Sequence, residues 1–189
     1  MSQGSGSDED LMARYYQGDE DAFARLAKNL FNRLFCFFRR FVPEHDAEDL
    51  AQETLLRVAR TRGRTQTEYD QTKSRFITWL FTIARNCGLE YMRRKRRRKS
   101  LEADSEEAID EAQDKSFTPY EQLDHRMEFS ERVSVALDKL TQEQREVLLL
   151  DLQGLDAQEI AGILGVPKTT VYTRRFAGLE RMRELLDRS

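Results

Sequence analysis

Arg93, Arg94, Lys95, Arg96, Arg97, Arg98 and Lys99 form seven consecutive cations, and SLEADSEEAIDEAQDKS follows them at once. Like charges at helical spacing repel one another, so the cationic run is unfavourable without an anionic partner. The acidic tract behind it carries too few apolar side chains to offset its own ordering entropy. Residues 100–117 are therefore expected to form an acidic linker. It divides the chain into an N-terminal segment, 8–99, and a C-terminal segment, 118–189. The net charge is +6 over residues 1–99, -9 over 100–131 and 0 over 132–189, so the overall value of -3 is a cancellation.

Both segments read as helical. There are 22 Leu against 12 Val and Ile together, with only 9 Gly and 3 Pro, and Leu and Arg favour helices where β-branched residues favour strands. The expected fold class is all-α, with two small helical domains. No apolar run reaches the ~18 residues of a membrane span. The polar, acidic N-terminus lacks the basic and apolar parts of a secretory leader. The thiols are Cys36 and Cys87 and the imidazoles His45 and His125, too few and too scattered for a disulfide framework or a zinc site. A cytoplasmic protein with no metal and no cofactor is expected.

Four helices are legible before the cationic run. Asp8 to Gln17 forms the first, and Asp19 to Phe41 the second, with Phe23, Leu26, Leu30, Leu34, Phe37 and Phe41 on one stripe. Pro43 stops it. The third is expected to begin at Asp46 as N-cap, with Ala47, Leu50, Ala51, Thr54 and Val58 inward and Asp49, Gln52, Glu53 and Arg57 outward. That outer face is either solvated or a dock for a basic partner. Residues 61–73 read as a loop. The fourth helix runs from about Ser74 into the cations, with Phe76, Leu80, Ile83, Cys87 and Tyr91 on one face. Trp79 and Asn86 share the adjacent face, and Arg75, Arg85, Arg93 and Arg94 lie along the same helix. Arginines neutralise phosphates and aromatic faces stack on unpaired bases, so this helix is a candidate for single-stranded nucleic acid.

Three capping boxes or close variants, Thr118-Pro-Tyr-Glu121, Thr141-Gln-Glu-Gln144 and Asp156-Ala-Gln-Glu159, predict helices at about 119–139, 142–152 and 157–164. Gly154 and Gly165 supply the breaks. A last helix starts near Pro167. A short helix, a glycine turn and a second helix make a helix-turn-helix, whose second helix presents its first residues to the major groove. Those residues are Lys168, Thr169, Thr170, Tyr172, Thr173, Arg174 and Arg175, with Val171 expected to turn inward. Arg reads guanine bidentately, and Thr and Lys contact methyls and phosphates. No polar N-cap precedes this helix, which leaves its first N–H groups for a DNA phosphate.

In order and spacing the chain resembles the bacterial RNA polymerase sigma factors of the sigma-70 family, extracytoplasmic-function (ECF, group IV) type. GDEDAFARL, HDAEDLAQETLLRV, RFITWLFTIARN and RRKRRR carry the resemblance in the first half. ALDKLTQEQREVLLL and QEIAGILGVPKTTV carry it in the second. It implies a region 2 domain and a region 4 domain around the linker. It implies that Asp49, Leu50, Gln52 and Glu53 meet the β′ clamp helices of core polymerase. Arg75, Trp79, Asn86, Arg93 and Arg94 are implied to open and read the minus-ten element, with a flipped base held near the 61–73 loop. Residues 168–175 are implied to bind the minus-thirty-five duplex, with a contact to the β flap. The linker is implied to thread the cleft and RNA exit path, where its charge mimics a polyanion and keeps the free protein off DNA. An anti-sigma factor is an implied partner. The chain departs from the family pattern at Arg175, where a leucine-like residue is usual, at Ala177 and Leu179, where arginines are common, and at Glu90, usually an aspartate.

Two other readings compete. A stand-alone operator-binding regulator uses only the helix-turn-helix and leaves the Trp/Arg helix unexplained. A nucleic-acid enzyme needs a carboxylate cluster, a phosphate loop or a nucleophile–base pair, none of which the sequence supplies.

Overall fold

The computed structural model describes residues 6–64, 66–103 and 127–187. They form eight helices: α1 (Asp8–Tyr16), α2 (Glu20–Phe38), α3 (Glu44–Ala59), α4 (Phe76–Ala103), α5 (Met127–Asp138), α6 (Gln142–Asp151), α7 (Ala157–Leu164) and α8 (Lys168–Asp187). No strand occurs among the described residues. The packing divides into two compact units, residues 1–94 and 95–189.

In the N-terminal unit α2 packs between α1 and α3. Leu26, Leu30, Leu34 and Phe38 of α2 are fully buried, together with Leu11 and Met12 of α1, Val58 of α3 and Phe76, Leu80 and Phe81 of α4. Burying such side chains contributes roughly 1.5–3 kcal/mol each, which makes this stripe the main source of the unit's cohesion. Phe37 meets Phe38, Phe41 and Phe81 edge-on at 5.2–5.4 Å. The helix starts vary in chemistry. Ser7 and Asp10 form a reciprocal capping box on α1, and Asp19 caps α2 through the Ala22 N–H.

Four expectations need correction. α2 ends at Phe38 rather than Phe41, because the N–H groups of Arg40 and Phe41 turn to carbonyls three residues back ahead of Pro43. α3 begins at Glu44 with Pro43 at the N-cap and no side-chain cap, so Asp46 is not the cap. The Asp46 carboxylate instead accepts the Tyr91 hydroxyl at 2.6 Å, which binds α3 to α4. α4 starts at Phe76 and continues through all the cations to Ala103, so the chain is still helical where the linker was expected to begin. The rest of the expected linker, the Thr118 capping box and residues 119–126 lie outside the described residues.

In the C-terminal unit both remaining capping boxes are present, Thr141 with Gln144 and Asp156 with Glu159. Arg145 donates to the carbonyls of Leu137 at 2.9 Å, Asp138 at 2.8 Å and Leu140 at 3.2 Å, which ties α6 to the end of α5 and the turn after it. Gly165 adopts φ +65 at the end of α7, the left-handed turn a helix-turn-helix needs. Val147, Leu150, Ile160 and Val171 close the core. Gly178 allows α8 to approach α6, since a Cβ there would sit 3.1 Å from Leu148 Cδ1. Among the described residues no helix is long and apolar enough to cross a membrane, and no cluster of His, Cys, Asp and Glu could hold a metal.

Candidate nucleic-acid interface

The N-terminal unit contains a groove of about 570 Å³ between the end of α3 with its following loop and the middle of α4. Arg57, Arg60, Thr61, Arg64 and Thr67 form one wall. Trp79, Ile83, Asn86, Leu89, Glu90 and Arg93 form the other. The volume lies in the range of small-ligand sites, ample for an everted base. Trp79, Asn86 and Arg93 recur every seven residues on α4 and so share one side of it. Of the residues expected to meet single strands, these three line the groove. Arg94 is exposed on the same helix and Arg75 is exposed just before its first residue, and neither is part of the groove lining.

Aromatic packing fixes the indole. Trp79 lies 5.5 Å from the Tyr69 ring and 5.7 Å from that of Phe76, and Tyr69 meets Phe76 edge-on at 5.3 Å. Phe76 is buried in the core, and Trp79 is half-buried with the groove before it. Tyr69 is itself held in place. Its backbone N–H donates to the Tyr16 hydroxyl at 2.7 Å. Thr61 Oγ1 donates to the Val58 carbonyl at 2.7 Å, so the single proton of the Tyr16 hydroxyl serves the 3.0 Å contact with Thr61. Burial raises the Tyr16 phenol above its ordinary range. Tyr15 donates to the Ala59 carbonyl at 3.0 Å. Two adjacent tyrosines of α1 thus latch the end of α3 and the loop that carries Tyr69. Gly63, at φ +75, lets that loop turn, and its N–H donates to Glu68 at 2.7 Å.

Charge in the groove is ordered by Arg57. Its Nη1 and Nη2 donate to the two oxygens of Glu90 at 3.0 and 2.7 Å, and its Nε donates to Glu53 at 2.8 Å. The Glu90 bond, then the Glu53 bond, raises the guanidinium above its ordinary value, and the same contact with Arg57 holds the Glu90 carboxyl below the usual range. Burial pushes the Cys87 thiol up. Sequence reasoning placed Arg57 on an outer face and missed Arg60, Arg64 and Tyr69. The spacing of Arg57, Arg60 and Arg64 at three and four residues was the available signal.

On the outer side of α3, Asp49 and Gln52 are exposed and Glu53 is half-buried. Leu50 does not belong with them. It is 3% exposed and packs in the core, the inward place its helical register dictates. Leu56, 50% exposed, extends this face instead, one helical turn beyond Gln52.

In the C-terminal unit Lys168, Thr169, Tyr172 and Thr173 are exposed, while Thr170, Arg174 and Arg175 are partly covered. Val171 is fully buried, as the helix-turn-helix register requires. The helix begins at Lys168 directly after Pro167, whose carbonyl receives Thr170 N–H, and no polar side chain precedes it. Lys168 Nζ stands 5.8 Å over the Tyr172 ring. Arg175 pairs with Asp151 of α6 at 3.1 Å, so an arginine on an otherwise inward side is accommodated by a carboxylate. Phe176 and Leu179, on the following turns, are exposed apolar residues, and of the two only Leu179 was singled out in the sequence, as a departure from the family pattern.

An arginine- and tryptophan-lined groove in one unit and a helix-turn-helix in the other are features of a nucleic-acid-binding protein. The sigma-70 region 2 model matches residues 22–98, and the sigma-70 region 4 model matches residues 130–182. Sigma factor CarQ of Myxococcus xanthus is 32% identical over 177 residues, covering 93% of this chain and 95% of that protein. ECF sigma factor SigE of Mycolicibacterium smegmatis is 37% identical over 144 residues and covers 76% of this chain. The match spans about half of that relative, 52% of its length. Among solved structures, sigma factor RpoE from Bartonella quintana, crystallised with the anti-sigma factor NepR, superposes with a TM-score of 0.62 at 27% identity. It covers 87% of this chain and 96% of that one. The ECF sigma-E factor of Escherichia coli is 30% identical over 186 residues, covering 96% of this chain and 93% of that protein, and the chain belongs to the ECF sigma factors of the sigma-70 family. It is a sigma factor that binds RNA polymerase and recognises promoters, and the match to region 2 disfavours a stand-alone operator-binding regulator.

Proposed function

We propose that the two sites divide promoter recognition between them. The N-terminal groove takes a base everted from the minus-ten element, and the start of α8 reads the minus-thirty-five duplex. Trp79, Asn86 and Arg93 supply the aromatic, amide and cationic contacts that an unpaired strand requires, and Arg60 and Arg64 face them across the groove. That juxtaposition is the observation that carries the reading. Everting a base costs a few kcal/mol, which stacking and phosphate contacts at a prepared surface offset. Arg75, just before α4, and Arg94 on it extend the cationic track. At the duplex site Lys168, Thr169, Thr170, Tyr172, Thr173 and Arg174 face the major groove, and the open N–H groups at the start of α8 meet a phosphate. Arg175 is assigned to Asp151 rather than to a base.

Asp49, Gln52 and Glu53, joined by Leu56, form the face offered to the β′ clamp helices, and the C-terminal unit meets the β flap. The protein works in the cytoplasm as a specificity subunit without catalysis of its own. An anti-sigma factor regulates it, a reading supported by the relative crystallised with one. The test is reconstitution with bacterial core polymerase and a promoter library. Specific transcript starts that depend on this chain support the reading. Tight operator binding by the chain alone, with no new starts, would overturn it.

A further inference from the structure

Glu90 is out of place in a groove meant for a polyanion. Its carboxylate stands on the wall that carries Trp79, Asn86 and Arg93, one helical turn before Arg93 and Arg94. At that spacing an unpartnered carboxylate draws the following cations to itself. Arg57 counters this through the two-pronged contact already described, although Arg93 and Arg94 stay near enough to help lower the Glu90 carboxyl. The Arg57 Nε–H is committed to Glu53 at the edge of the α3 outer face. All three Arg57 nitrogens therefore donate to carboxylates of its own chain. Although Arg57 lines the groove, each of its nitrogens already has a protein acceptor, and these bonds leave only the second N–H of Nη1 and of Nη2.

We propose that Arg57 is a positioning residue for promoter opening: it occupies Glu90 with both prongs of its guanidinium and so leaves Arg93 to the phosphates of the melted strand. Glu90 in turn holds Arg57 against α4, and Glu53 fixes the third edge of the fork. The neighbouring arginines Arg60 and Arg64, which form no such fork among the described residues, are the groove's phosphate-facing cations on the α3 side. The proposal rests on the reading of the groove as the single-strand site, and the controls below separate the two.

The direct-contact alternative makes an opposite prediction. If Arg57 touched phosphate, removing Glu90 as well would not restore what its loss takes away. If Arg57 acts by occupying Glu90, removing both should restore it. The experiment uses holoenzyme assembled from the full chain and core polymerase. The probe is a fluorescein-labelled single strand of about 12 nucleotides, taken from a promoter that the wild-type holoenzyme selects from a random library. Affinity is measured against salt concentration for wild type, R57A, E90Q, R57A/E90Q and R57K, with W79A as the control for the groove. The expected result is about tenfold weaker binding for R57A and recovery to within about twofold in R57A/E90Q, a coupling typical of groups in one ion-pair network. R57K keeps the charge without the fork and falls between. The salt slope gives a readout that a merely structural role does not move. R57A should lose about 0.7 of a unit of slope, one phosphate contact, and the double variant should regain it.

Recovery of affinity and slope together supports the proposal. A double variant as weak as R57A, with the slope still reduced, overturns it in favour of direct contact. Weakness with an unchanged slope also overturns it, because the loss is then of fold rather than of a phosphate contact. If W79A binds the probe as wild type does, the groove reading itself fails, an outcome distinct from failure of the double variant.

Discussion

The two units solve recognition in different ways. In the C-terminal unit the reading surface belongs to one helix. Gly165 sets its direction, Val171 anchors it and Arg175 ties it to α6. Each of these contacts lies within a few residues of a turn or cap. In the N-terminal unit the surface is a groove assembled from α1, α3, the following loop and α4, with contacts that span 44 to 53 residues of sequence through Tyr15 and Tyr16. One site is presented and the other is assembled. The first is set by contacts around a single helix-turn-helix, and the second depends on two tyrosines that lie outside the groove's own lining.

The harshest way to probe that contrast is to destroy the C-terminal core. Val171→Asp buries an unpaired charge and should cost upwards of about 4 kcal/mol, unfolding that unit. Trp79, the single tryptophan, reports only on the N-terminal unit. Its fluorescence transition should keep the wild-type midpoint while far-ultraviolet helicity falls. A shifted tryptophan midpoint would mean that the units do not stand alone. Next in size, Trp79→Ala should weaken single-strand binding by holoenzyme by roughly tenfold to hundredfold, the loss of one stacked base, while leaving core association intact. Competition binding against the wild-type chain measures both quantities.

Smaller effects sharpen the comparison at the helix caps. Asp156 accepts the N–H groups of Gln158 and Glu159 at 2.7 and 2.9 Å, and Asp156→Ala should cost about 1 kcal/mol of C-terminal stability, read by chemical denaturation. The smallest effect is a pH dependence. Arg57 depresses the Glu90 carboxyl in the folded state, so the unfolded chain binds more protons. The stabilisation is present above the ordinary value of 4.5 and is lost as pH falls through the depressed value. Thermal midpoints of wild type and Glu90→Gln should therefore converge as the solution is acidified below that value. A constant gap down to the acid limit would remove the pair from the account.

The sequence revealed what local chemistry controls. The capping boxes at Thr141 and Asp156, the glycine turn at Gly165 and the inward face of α3 all followed from spacing alone, because each is satisfied within one or two turns. The start of α3 did not, since Asp46 had a distant partner in Tyr91 that no local rule contains. Leu50 shows the same limit from the other side: its place in a docking motif suggested a surface role, and the helical period that buries it is the stronger constraint. Half of the groove was legible through Trp79, Asn86 and Arg93 on one helix. The opposite wall was not, because Arg57 and Arg60 at the end of α3 and Arg64 and Thr67 in the following loop meet α4 only through packing distant in sequence, with Tyr16 holding the loop in place.

The division of labour between groove and helix is tested most directly by permanganate footprinting of promoter melting, combined with upstream duplex protection, for holoenzymes carrying Trp79→Ala or Arg174→Ala. The account predicts that the tryptophan variant protects the upstream duplex normally yet leaves the thymines of the start region unreactive. The arginine variant should lose upstream protection but melt normally once a high protein concentration has forced occupancy. Equal loss of both signals in both variants would contradict it.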